Sequence, residues 1–132
     1  MNKSNLPSGS LTWLHSLSLL LTLLGTVVLL GWLLHIPELT RLAGPRYTMV
    51  INTALSFILI AQGLRLTMMP GIWPRRLANF IAIGIMLFAV LNLMQIWGGV
   101  SLGIDHVALH SWVNDGNPWP GRMSLPTTLC FL

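Results

Sequence analysis

The sequence predicts an all-α polytopic membrane protein, with three full transmembrane helices and the start of a fourth arranged as two repeated helical hairpins. Three features of the chain support this. Of its 132 residues 54% are hydrophobic and only 8% are charged, too little polar surface to coat a soluble globule. Three apolar runs are each long enough to cross a bilayer, which takes about 20 residues. The second half of the chain also echoes the first, the mark of an internal repeat.

Residues 1–10, with Lys3, read as a short cytoplasmic tail. The first apolar run, Leu11 to His35, contains no Lys, Arg, Asp or Glu. It is too long for the core of a signal peptide, and no A-x-A-like cleavage site follows it. Trp13 and Trp32 stand near its two ends, roughly 28 Å apart along a helix and so close to the hydrocarbon thickness. That placement reads as a pair of interface anchors. An outer loop, 36–47, leads to the second run, Thr48 to Leu66, which closes the first hairpin, 11–66.

Residues 67–76 form a turn in which Pro70, Gly71 and Pro74 interrupt the helical pattern. Arg65, Arg75 and Arg76 cluster there without an acidic neighbour, whereas Glu38, Asp105 and Asp115 fall in the two other connections. The positive-inside rule therefore places this turn and the amino terminus in the cytoplasm, against the opposing charges of Arg41, Arg46 and Arg122. The third run, Leu77 to Trp97, opens the second hairpin, 77–132, and Trp97 reads as another anchor. Its outer loop spans 98–122, where Trp112 and Trp119 also read as interface anchors.

Aligning MVINTALSFI (Met49 to Ile58) with MSLPTTLCFL (Met123 to Leu132) pairs Met49 with Met123, Thr53 with Thr127, Leu55 with Leu129 and Phe57 with Phe131. Upstream, Gly31, Leu34 and Ile36 pair with Gly99, Leu102 and Ile104. The repeated unit is a helix, an outer loop opening with a short helical turn, and a returning helix. Met123 to Leu132 then begins a fourth transmembrane helix. Its ten residues cover only about 15 Å, and a carboxylate left in hydrocarbon costs several kcal/mol, so the chain is expected to continue.

Polar residues at three- and four-residue spacing mark where helices pack in a membrane. On the first helix these are His15, Ser18, Thr22 and Thr26; on the second, Asn52, Ser56 and Gly63; on the third, Asn92 and Gln95. In the second outer loop Asp105 can cap a short helix on which His106 and His110, at i and i+4, share a face. Such a pair suits a divalent metal ion such as zinc or copper if Asp105, Asp115, or His35 and Glu38 of the first loop complete the set. Solvent-facing histidines on an interfacial helix are the plainer use of the same spacing. Exposed imidazole titrating near about pH 6.5 would also allow a pH response.

Other chemistry is excluded more firmly. The formal charge of +4 is scattered among apolar runs, with no basic stripe for nucleic acid. Cys130 stands alone, which excludes an intrachain disulfide. There is no P-loop, dinucleotide fingerprint or H-E-x-x-H pattern, and an enzyme is the least supported class.

The segment GRMSLPTTLCFL (Gly121 to Leu132), preceded by LGID and a polar loop, resembles the PGRMSPNTALCFLL type of segment in the amino-terminal membrane regions of bacterial signalling proteins. There, similar multi-helix regions precede PAS, GGDEF or histidine-kinase modules. TMVINTALSFIL looks like the first-repeat version of the same pattern. The resemblance covers roughly Gly31 to Leu132 and departs at Leu125 to Thr128, where LPTT stands for PNTA. It implies a sensory input region in the bacterial inner membrane, acting as a homodimer and relaying to an output domain in the same full-length chain. The alternative is a small self-contained accessory protein of a transporter or metal-handling complex.

Overall fold

A computed structural model of the protein describes residues 8–41, 48–105, 112 and 119–132, with side chains from Thr12 onward. Among the described residues all regular structure is helical: α1 (Ser8–Leu33), α2 (Pro37–Thr40), α3 (Ile51–Met68), α4 (Ile72–Gly98) and α5 (Leu125–Cys130). Three helices are long and apolar enough to cross a membrane, Thr12–Leu33, Ile51–Met68 and Ile72–Gly98. They form an up-down-up arrangement in which α3 packs against both α1 and α4. We call the end of the bundle at the α3/α4 connection the turn end and the opposite one the loop end.

The distribution of side chains is the reverse of a soluble bundle. Leu19, Leu20 and Leu23 of α1 and Phe80, Ile83 and Leu87 of α4 are exposed, while Ala54, Ala61, Ala78, Ala89, Ser18, Ser56, Asn92 and Gln95 are buried. Where the surroundings are as apolar as leucine, burial of apolar surface no longer drives helices together, and close packing of small residues with hydrogen bonding takes over. The α1/α3 seam follows this rule. A Cβ added at Gly25 would lie 2.7 Å from the Ala54 carbonyl oxygen and 2.6 Å from Ile58 Cγ1. Ser18, Gly25, Val28 and Trp32 form the buried stripe of α1.

That stripe differs from the polar one predicted. Ser18 lies on it, Thr22 is half-buried at its edge, and Thr26 is exposed, one position past the glycine that makes the contact. All three hydroxyls donate back to carbonyls of their own helix, Ser18 to His15 (3.2 Å), Thr22 to Ser18 and Thr26 to Thr22 (2.7 Å each). Ser18 Oγ also accepts from Arg65 Nε of α3 (3.1 Å), but a threonine hydroxyl satisfied on its own helix needs no partner helix, so threonine periodicity is a poor guide to the packing face. His15 is exposed. On α3, Asn52, Ser56 and Gly63 are buried, and so are Asn92 and Gln95 on α4.

Helix ends fix the connections. The Ile36 N–H donates to the Gly31 carbonyl (2.9 Å) across His35, whose φ of 56° is left-handed. This is the bond pattern of a Schellman cap, with histidine in the place usually held by glycine. Pro37 then starts α2, whose Leu39 and Thr40 pack on Gly31. At the turn end the break is shorter than the 67–76 turn predicted. α3 runs to Met68, α4 starts at Ile72, and Arg75 and Arg76 fall in the first turns of α4. Pro74 is accommodated because the first turn of a helix has no use for its missing N–H.

At the loop end α4 stops at Gly99, in the left-handed region at φ 62°. Gly31 and Gly99, paired by the repeat, thus have different roles, one a packing surface inside a helix and the other a cap. The later part of the alignment is closer. Val50 and Ser124 both precede a helix as N-caps, with φ, ψ of −70°, 152° and −66°, 152°. Ser124 also accepts from the Thr127 N–H (3.4 Å), which fits the LPTT stretch to a helix start. α5 packs on α4, and the Phe131 ring meets its repeat partner Phe57 edge to face at 5.8 Å.

Candidate functional site

Among the described residues, the densest polar cluster lies at the loop end, where residues 100–105 and 119–124 fold back over the helix tips. Gln95, in the last turn of α4, has no exposed surface. Its amide cannot bond to its own helix and must find partners elsewhere. Its Nε2 donates to Asp105 Oδ1 (2.9 Å), and its Oε1 accepts from the Leu102 N–H. Asp105 Oδ2 accepts from Arg122 Nε at 3.2 Å, an ion pair whose side chains are 4% and 5% exposed.

Arg122 spends its remaining donors on backbone. Nη1 donates to the Gln95 carbonyl (3.3 Å) and Nη2 to the Val100 carbonyl (3.0 Å), while the guanidinium lies 4.5 Å from the Trp119 ring centroid. A buried charge is tolerable when it is paired and hydrogen-bonded, and here each guanidinium nitrogen donates to an acceptor. Gly121 makes the approach possible. A Cβ there would sit 1.8 Å from the Asp105 carbonyl oxygen, and its φ of 78° is left-handed. Only glycine meets both demands.

Two further ties extend the cluster to the other helices. Asn52 Nδ2, near the start of α3, donates to the Ile104 carbonyl (2.9 Å). Asn92 Nδ2 on α4 donates to the Met123 carbonyl (3.4 Å) and to Thr128 Oγ1 of α5. One continuous hydrogen-bonded knot thereby joins residues 100–105 and 119–124 to α3, α4 and α5. Beside it, Trp112 packs on Trp32 edge to face (5.2 Å between centroids) and against the His35 ring (4.9 Å).

This placement changes several sequence readings. Asp105 is buried, and each of its carboxylate oxygens accepts a hydrogen bond, one from Gln95 and one from Arg122. His106, His110 and Asp115 lie outside the described residues, among which no group of three or more His, Cys, Asp or Glu could hold a metal ion. Trp32 is not an interface anchor. It is 5% exposed, in the core with Val28 and Ala54, and its Nε1 donates to the Met49 carbonyl (2.9 Å). Trp112 is half-buried against that core, Trp13 and Trp97 are each 79% exposed near helix ends, and Trp119 is half exposed over Arg122. Gln95, Asn52 and Asn92 are buried, and each side-chain bond shown for them goes to residues 102–105, to Met123 or to α5.

Arg122 is the residue the sequence reading missed, having entered only as a charge against the positive-inside bias. The signal for it was an arginine between Gly121 and Met123, with an aspartate upstream in the same loop. The effect of the knot on the structure is to tie residues 100–105 and 119–124 to α3, α4 and α5. No family model, no curated protein and no solved structure matches this chain.

Proposed function

We propose that this chain is the membrane-embedded input region of a bacterial signal-transduction protein, which relays an extracytoplasmic or membrane signal to a cytoplasmic output domain carried by the same full-length chain. The observation that carries this reading is the Asp105–Arg122–Gln95 knot with its Asn52 and Asn92 extensions. A ligand or force that displaces the loop must either break buried charge-assisted bonds or move the tips of α3, α4 and α5 with it. Buried polar networks have discrete arrangements, which is what a switch requires.

The repeated-hairpin arrangement belongs to this proposal. Its support is the matching N-caps at Val50 and Ser124 and the contact between Phe57 and Phe131. So does the orientation, with the amino terminus and the turn end in the cytoplasm of a bacterial inner membrane. Its support is the positive-inside bias, Lys3, Arg65, Arg75 and Arg76 on one side against Arg41, Arg46 and Arg122 on the other. A homodimer is the working form, because output modules of this kind act in pairs.

The test uses the full-length protein in its own membrane. Arg122→Gln should change output activity while the amount inserted stays at the wild-type level. Unchanged output at equal amount would overturn the proposal, as would a stop codon directly after the codon for Leu132.

A further inference from the structure

We propose that the cleft between α3 and α4 at the turn end is a binding site for one anionic phospholipid, with the lipid phosphate at Arg75 and Arg76 and an acyl chain lying between the helices. This rests on the three helices spanning a membrane and is independent of the signalling role.

The cleft has two joined parts. The outer, of about 560 Å³, is walled by Leu66 of α3 and by Trp73, Pro74, Arg76 and Leu77 of α4. The inner, of about 340 Å³, continues from the shared side chain of Phe80 past Leu59, Ile81 and Gly84 towards Phe88. Gly84 opens it, since a Cβ at that position would meet nothing within 4 Å. From Leu77 to Phe88 the helix rises about 16 Å, close to the roughly 15 Å occupied by one leaflet of the hydrocarbon core. The lining is apolar along that whole length except at two places, the Asn52 and Ser56 side chains deep in the inner part and Arg76 at the mouth.

Charge complementarity selects the occupant. Arg75 and Arg76 are exposed, Arg76 lies over the Trp73 ring at 5.8 Å, and no Asp or Glu occurs anywhere between Leu39 and Ile104. A zwitterionic lipid brings its own cation to that mouth, whereas phosphatidylglycerol brings a phosphate with none. Basic pockets between membrane helices hold anionic headgroups for this reason. Trp73, 79% exposed beside the arginines, belongs at headgroup level.

The experiment reconstitutes the whole chain into equimolar dioleoyl-phosphatidylglycerol and dioleoyl-phosphatidylcholine vesicles, re-extracts it in mild detergent, and counts bound lipid by native mass spectrometry. Phosphatidylglycerol should be retained about 25-fold over phosphatidylcholine, about fivefold for each of the two arginines. Arg75→Gln or Arg76→Gln should each cut the excess by about fivefold, the weight of one interfacial cation, and the double change should abolish it. Gly84→Trp fills the cleft and leaves the arginines in place, so it should also abolish retention, with Gly84→Leu as a milder form for which the open space leaves ample room. Equal retention of the two lipids would overturn the site. So would an excess that survives Gly84→Trp and Gly84→Leu in protein of wild-type melting, which would reduce the effect to diffuse attraction. Loss of the excess on adding inorganic phosphate would show a phosphate site without a lipid seat and overturn it equally.

Discussion

Replacing Arg122 with Met tests the buried knot by leaving one charge without its partner. Asp105 is 4% exposed, and with the guanidinium gone its carboxylate retains only the Gln95 amide. The Gln95 and Val100 carbonyls lose their side-chain donors as well. Removing one member of a buried ion pair costs about 3–5 kcal/mol, and the two orphaned carbonyls keep the expected value in the upper part of that range. The loss falls first on local opening of the segment after α4, because the membrane helices have packing of their own. Hydrogen exchange of residues 100–105 in lipid nanodiscs reads that opening, and about 4 kcal/mol corresponds to roughly a thousandfold loss of protection. Asp105→Asn in the same molecule removes the stranded charge and still offers Gln95 an acceptor. The double variant should therefore recover at least half of the loss. Unchanged protection in Arg122→Met, or a double variant no better protected than the single one, would refute the reasoning.

Other substitutions probe the remaining contacts. Gly121→Ala should open the same segment at least as much as Arg122→Met, since the methyl group meets the Asp105 carbonyl and the left-handed φ adds about 1–2 kcal/mol; exchange of residues 119–124 checks it. Gly25→Leu should force α1 from α3 at Ala54 and Ile58 and cost about 1–3 kcal/mol, seen as a lower melting temperature in detergent, whereas Thr26→Leu at the exposed neighbouring position should leave melting unchanged. Asn92→Leu removes the bonds from α4 to Met123 and Thr128 and should cost about 1 kcal/mol. Its readout is faster hydrogen exchange of residues 125–130 than in wild type.

The three spans were legible because they depend on a sum over many residues, and no single misreading can erase a run of that length. The packing faces were only half legible. Hydroxyl spacing on α1 pointed to Thr26, but a threonine in a membrane helix can satisfy itself on the preceding turn, so its periodicity carries little information about neighbours. Gly25 carried the contact, and a lone glycine in an apolar run announces close approach only when its partner surface is known. Trp32 misled for a related reason. Its position near a helix end fits an anchor, and only the path of the chain after α2, which brings the Met49 carbonyl to its indole, turns it inward. The knot was least legible. Gln95 and Asn52 stood out as polar residues in apolar helices, yet joining them to Asp105 and Arg122 requires the loop to fold back over the tips, a long-range arrangement that local pattern does not encode.

The proposed relay stands or falls on whether movement at the loop end reaches the turn end. Spin labels at Trp13 and Leu77, both exposed and both at the turn end, report it in nanodiscs on a Cys130→Ser background, compared between the wild-type loop and Arg122→Met. Coupling through the knot requires the mean distance to shift by about 1–2 Å, the scale of helix displacements in switching proteins. An identical distance distribution in a variant whose loop segment has lost its exchange protection would contradict the relay and leave the knot a purely structural clamp.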